Sequence, residues 1–269
     1  MNEIGYYQEG DFKLRLEPAR DACFRVVRRD ADLEEYEDTS MKARQESLHR
    51  HMSNEITSID IAAQCLVDYP EAPWELRMEL ARQCWDEARH IAALERRLNE
   101  MGARKGDFPI SAYEWTVTMA IDDLAGRLAT QNRTFEAGAM DVVGGTIKAW
   151  RELGDHRTAE VLDQILADEV QHVRFANRWI KKMAQQDPRT LMRVAMAIRF
   201  LAHVNEALSP KAGEVNVIGK ALDDFSSRIP AVNLEDRRLA EFSDAEIEEI
   251  LRQAGFRSLV SNDPPEATA

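Results

Sequence analysis

The chain carries the pattern Asp-Glu-x-x-His twice, as DEARH at 86–90 and DEVQH at 168–172, 82 residues apart (168 − 86). What constrains the fold is where each copy sits. Taken at steps of three and four, the first surrounding stretch reads Leu76, Leu80, Gln83, Glu87, His90, Leu94, Leu98 and Met101. The second reads Leu162, Ile165, Glu169, His172, Ala176, Trp179 and Met183. Both are core stripes of amphipathic helices, with a carboxylate and an imidazole where apolar residues belong. A buried, unpaired carboxylate is expensive and would sooner take up a proton than stay charged. A divalent cation resolves the conflict, because side chains three apart share a helical face and can converge on one ion.

A third stripe, Leu48, Met52, Glu55, Ile59, Ala62 and Leu66, again places one Glu among apolar positions. The turn between this helix and the next centres on Glu71. Glu55 precedes it by 16 residues (71 − 55) and Glu87 follows it by 16 (87 − 71). In an antiparallel hairpin the two therefore lie at one height, about 24 Å from the bend at 1.5 Å per residue. Glu136 and Glu169 are 33 residues apart (169 − 136), against 32 for the first pair (87 − 55), with their midpoint beside Gly154. Two helical hairpins each offer Glu, then Glu-x-x-His, at matching depth. This is the ligand set of a dinuclear carboxylate site in a four-helix bundle: Glu55, Glu87, His90, Glu136, Glu169 and His172. Asp122 competes with Glu136 for the third-helix position, about 21 Å away along the axis. A tight hairpin at 102–110 would bring Asp122 to the site. A crossover of 102–118 along the bundle would bring Glu136, and the symmetry with Glu169 favours the crossover.

The rest of the chain agrees with an all-α class. Gly and Pro number 12 and 9 in 269 residues, and no strand pattern stands out. Residues 1–39 read as a loosely structured arm, 40–208 as the helical bundle with a fifth helix at about 189–208, and 209–269 as a helical extension ending in a disordered tail, SNDPPEATA. Helices are expected from Ser40 to Asp68, and from Pro73 to Met101 with Gly102 as terminator. SAYE at 111–114 reads as a capping box for a short helix. The main third helix should then fade near VVGG (142–145), with a separate short helix TIKAWREL. The fourth helix is placed at about 155–185, and Ser243/Glu246 forms a second capping box.

The net charge of −13 leaves no basic field for nucleic acid. No run is long enough for a membrane span and the N-terminus has no signal-peptide pattern, so the expected location is cytoplasmic. Three cysteines without a CxxC pair fit a reducing compartment.

Asp86 and Asp168 each precede their own motif's His by four residues. They are expected to hold the imidazoles of His90 and His172 through the second ring nitrogen. His51, one turn before Glu55, either joins this outer shell or lies on the surface. His49 and His156 read as exposed, and His203 with Glu206 as structural. Trp85, Trp115, Trp150 and Trp179 read as core.

The pattern resembles the ferritin-like superfamily, in particular its dioxygen-using di-iron branch. DEARH matches that branch's Asp-Glu-x-Arg-His motif in full, whereas DEVQH places Gln171 where the Arg would be. GDFP (106–109), EAGAMDV (136–142) and ILADEVQHVRFANRW (165–179) are similar to stretches of a bacterial ferritin-like family close to the O2-activating di-iron carboxylate oxidases and oxygenases. The resemblance covers roughly 45–185 and supports Glu136 over Asp122. It implies a ferritin-like four-helix bundle holding two Fe ions, or Fe/Mn, with O2 as co-substrate. On that basis the leading expectation is an oxidase or oxygenase that hydroxylates, desaturates or N-oxygenates a small molecule, with an electron-donor reductase and a homodimer as partners. The alternatives are a ferroxidase or iron store, a tRNA hydroxylase (disfavoured by charge) and a metal-free bundle (disfavoured by the doubled motif).

Overall fold

The computed structural model describes residues 6–9, 11–15, 18–29, 32–34, 36, 40–208 and 232–253. The tail SNDPPEATA lies outside them. Helix α1 (Met41–Asp68) starts at Ser40, whose side chain accepts the Ala43 N–H at 3.0 Å. Helix α2 (Trp74–Glu100) starts after Pro73 and ends before Gly102, whose φ of +84° is the left-handed conformation that favours glycine. The two pack as a long hairpin.

After a connection at 102–109, helix α3 (Tyr113–Met119) packs against α1, and α4 (Leu124–Thr130) begins at an Asp123 cap. A π-helical segment, Gln131–Glu136, leads without interruption into α5 (Ala137–Glu152). Helix α6 (His156–Gln186) returns along α5 from an Asp155 cap, and α7 (Arg189–Leu208) follows. Two short helices, α8 (Leu234–Leu239) and α9 (Asp244–Gln253), complete the described chain. The Ser243/Glu246 capping box forms: Ser243 N–H donates to Glu246 Oε2 at 2.8 Å and Glu246 N–H to Ser243 Oγ at 3.4 Å.

The architecture is a helical bundle with extensions at both ends, and it departs from expectation in three places. The arm contains strands: β1 (Tyr6–Glu9) pairs antiparallel with β2 (Phe12–Arg15), and β3 (Val26–Val27) pairs in parallel with β4 (Ile110–Ser111). Only Gly10 and Asp11 separate β1 from β2, the loop length of a tight hairpin. SAYE does not form its box; Ser111 lies in β4, and the residue before α3 is Ala112, with no side-chain cap. The helix does not fade at VVGG. α5 runs through both glycines, and a Cβ at Gly144 would meet the Asn233 amide at 3.0 Å, so that glycine admits the α8 cap where a break was expected.

The core is layered along the bundle axis. One apolar cluster joins Ile61 and Cys65, Leu76 and Leu80, Leu128, and Phe175 and Trp179. The other joins Leu48 and Met52, Leu94 and Leu98, Val143 and Ile147, and Leu162 and Ile165. Between them every bundle helix contributes buried polar residues: Glu55, Glu87 and His90, Glu136, Glu169 and His172. α1 and α6 run from the second cluster to the first, α2 and the α4–α5 segment run the other way, and the belt residues fall near the middle of each at one level.

Candidate metal centre

The six residues form two overlapping clusters, Glu55/Glu87/His90/Glu169 and Glu87/Glu136/Glu169/His172, each with ligand atoms within 4.8 Å of one another. Glu87 and Glu169 belong to both. His90 Nδ1 lies 3.0 Å from Glu87 Oε2 and 3.3 Å from Glu169 Oε1, while His172 Nδ1 lies 3.3 Å from Glu87 Oε1 and 3.4 Å from Glu169 Oε2. Each shared carboxylate thus turns one oxygen to each imidazole, the disposition of a bridge between two ion positions. Glu55 completes the His90 side, with Oε2 at 3.3 Å from Nδ1. Glu136 completes the His172 side. Asp122 is exposed and takes no part, so the chain crosses the bundle between α2 and α4.

Burial and mutual repulsion shape the protonation of this belt. Burial opposes the charge on Glu55, yet hydrogen bonds with Glu87, His51 and His90 hold its carboxyl at about 2. Burial, and then the Glu55 charge, push Glu87 up; burial and the Glu169 charge push Glu136 well above the carboxylate range. Burial works against charge on His90, but Glu169, Glu55 and Glu87 raise it to about 12. His172 is likewise raised against burial, by Glu169, Asp86 and Glu87. Four carboxylates face two imidazoles, and Glu169 Oε1 and His172 Nδ1 are buried without a hydrogen-bond partner. Such orphaned atoms are costly unless something fills their coordination. Carboxylate and imidazole donors with two unsatisfied atoms at the centre fit a pair of divalent ions.

The outer shell departs from the sequence expectation. His90 Nε2 lies 3.2 Å from Asp168 Oδ2, and His172 Nε2 lies 3.3 Å from Asp86 Oδ2. Each Asp serves the other motif's histidine, because α2 and α6 run antiparallel and positions 86 and 172, like 90 and 168, face one another. Arg89 Nη2 donates to both aspartates, reaching Asp168 Oδ2 at 2.9 Å and Asp86 Oδ1. One arginine serves both sides, and Gln171 is exposed. His51 is drawn in, with Nε2 at 2.7 Å from Glu55 Oε1.

Two amides were missed. Gln83 Nε2 donates to Glu136 Oε1 at 2.5 Å, and Asn132 Nδ2 donates to Glu136 Oε2 at 2.8 Å and to Gln83 Oε1 at 3.1 Å. An amide on a leucine stripe was the available signal for Gln83; Asn132 reaches the site from the π-helical segment, a local feature often found at functional sites. Beside these amides lies a small cavity bounded by Ile61, Ala62, Cys65, Leu80, Arg127, Leu128 and Gln131, with room for about one water molecule.

Two further expectations fail. His49 is fully buried: its ring packs edge-on against Phe24 and Phe108, and Nε2 accepts the Gly106 N–H at 3.0 Å. Trp85 is exposed, whereas Trp115, Trp150 and Trp179 are buried. His156 and His203 are exposed. Among the described residues, no helix is long and apolar enough to cross a membrane.

No curated protein and no solved structure matches the chain. A family model described as "Protein of unknown function (DUF455)" matches residues 4–218, a span that includes all six candidate ligands and both aspartates behind the histidines. Because that match takes in most of the 269 residues, the chain belongs to this family.

Proposed function

We propose that the protein is a non-haem di-iron (or Fe/Mn) oxidase or oxygenase acting on a small molecule. The observation that carries the reading is the split of Glu87 and Glu169 oxygens between His90 and His172. Shared carboxylates of this kind would suit two ions acting together in a two-electron reaction with O2. When bound, two ferrous ions would supply the electrons that reduce O2, and an electron-donor protein would restore them.

The chain's own residues have definable tasks. Asp86 and Asp168 fix the orientation of His172 and His90, with Arg89 pinning both aspartates. Gln83 and Asn132 hold both oxygens of Glu136. The apolar layers on either side exclude bulk water from the belt. Such anchoring favours a centre that stays in place through repeated turnover.

The water-sized cavity favours the second reading, a ferroxidase or iron store, since it admits O2 or water more readily than a metabolite. One experiment separates the two. Protein loaded anaerobically with ferrous iron is mixed with O2 and passed through a desalting column. An oxidase consumes about one O2 per chain and keeps its irons. Uptake of tens of irons per chain as mineral, or loss of iron after each oxidation, would transfer the protein to metal handling.

A further inference from the structure

Helix α2 has a second apolar stripe, diametrically opposite the one that faces the metal belt. Trp74, Met78, Ala81, Trp85, Ala88 and Ala92 follow one another at steps of 4, 3, 4, 3 and 4, and all six are exposed. That spacing is the heptad seam of paired helices. Trp74 is 67% exposed, Trp85 66% and Met78 50%, so nothing among the described residues covers the seam. A contiguous face of this kind marks an interaction surface.

The order of large and small residues identifies the occupant. Laid antiparallel on a copy of itself, with facing positions summing to 166, the seam sets Trp74 against Ala92, Met78 against Ala88, and Trp85 against Ala81. Every large side chain meets an alanine, and every alanine a large side chain. On one flank, where the positions next to 74, 81 and 88 meet at sums of 164, Glu75 meets Arg89 of opposite sign; Arg82, which meets its own copy near the axis, is already paired with Asp86. A two-fold axis through such a stripe gives an isologous contact. Tryptophans exposed to this degree leave about 150 Å² each to be buried. Four of them supply about half of the ~1,200 Å² at the low end of specific interfaces, and the methionines, alanines and arginine stems supply more.

We propose that the outer face of α2 is a homodimer seam, seated antiparallel on α2 of a second copy. Arg89 lies at its edge, 46% exposed, so association would shield the arginine that holds Asp86 and Asp168.

Sedimentation velocity on the full chain, with metal loading recorded separately, tests the assignment. The wild type is expected to be a dimer at tens of micromolar, and Trp74→Glu/Trp85→Glu a folded monomer with an unchanged helical circular dichroism spectrum. Register is read by oxidation in a Cys23→Ser background. Met78→Cys/Ala88→Cys should form a covalent dimer, and Met78→Cys alone should not. A monomeric wild type overturns the proposal, as does a dimer that survives the double Glu substitution or one that refuses the 78–88 cross-link. A monomeric wild type that co-sediments with phosphatidylcholine vesicles through the two tryptophans would give the face to lipid, and also overturns it.

Discussion

Buried charge occurs in two styles in this molecule. Arg127 is buried with Nη1 at 2.6 Å from Asp68 Oδ2 and Nε donating to the Ile121 carbonyl at 2.7 Å. Arg237 is buried against Asp141, with Nη2 to Oδ2 at 2.5 Å and a further bond to the Ala137 carbonyl at 3.2 Å. In both, one cation meets one carboxylate and spare guanidinium donors end on backbone oxygens. The belt between the apolar layers is different: it holds four carboxylates against two imidazoles and leaves Glu169 Oε1 and His172 Nδ1 without hydrogen bonds. Charges that serve packing are balanced within the chain. The belt is not closed in this way, and the donor set it leaves open fits a pair of divalent ions.

Breaking one of the self-contained pairs should therefore destabilise the protein without touching the belt. Arg237→Met strands the Asp141 carboxylate beneath α8 and should cost about 3–5 kcal/mol in denaturant unfolding, while metal stoichiometry stays at the wild-type value. Asp141→Leu/Arg237→Met removes both partners and should recover most of the loss. Metal loss in the single variant would show that the two styles are coupled.

His49 offers a third solution to burial, neutrality. Burial lowers its pKa from 6.5 to about 4. The unfolded chain thus binds the proton more readily than the folded one. The associated stability is complete above pH 6.5 and is lost as pH falls from 6.5 to 4. The loss amounts to about 3 kcal/mol at 1.36 kcal/mol per pKa unit. His49→Gln retains an acceptor for the Gly106 N–H but does not titrate, so its melting temperature should fall less between pH 7 and pH 4.5. Parallel pH profiles for the two proteins would refute this role.

His49 also marks what was legible in the sequence and what was not. Five of the belt residues could be read from helical periodicity, because each interrupts an apolar stripe at a predictable height, whereas Glu136 was favoured over Asp122 by its symmetry with Glu169 and by the resemblance. Position along a single helix is a local property. The environment of His49 is not local: it depends on Phe24 from the arm and on Gly106 from the connection after α2. The same distinction explains Asp86 and Asp168. Their spacing from a histidine is visible along the chain, but which histidine each meets depends on the antiparallel register of α2 and α6. Trp85 was misread because α2 carries apolar residues on two opposite faces, and only packing shows which is inside. Asn132 was missed because a π-helical segment is not encoded in a 3.6-residue period.

The crossed pairing of the aspartates should have a smaller effect, confined to one side of the belt. Asp86→Asn removes a charge beside His172, not beside His90. It should weaken one of two metal-binding steps by about 10- to 100-fold and leave the other near wild type. Titration calorimetry that showed both steps weakened equally would argue against separate outer-shell partners.

Two divalent ions in the belt would satisfy its four carboxylates and two imidazoles together. The direct measurement is metal content per chain after anaerobic loading with ferrous iron and desalting. About two ions are expected for the wild type and for Asp122→Ala, and fewer than two for Glu136→Ala. None should be retained by Glu87→Ala, which removes a carboxylate shared by both clusters. One ion or none in the wild type, or two in Glu87→Ala, would contradict the two-ion assignment.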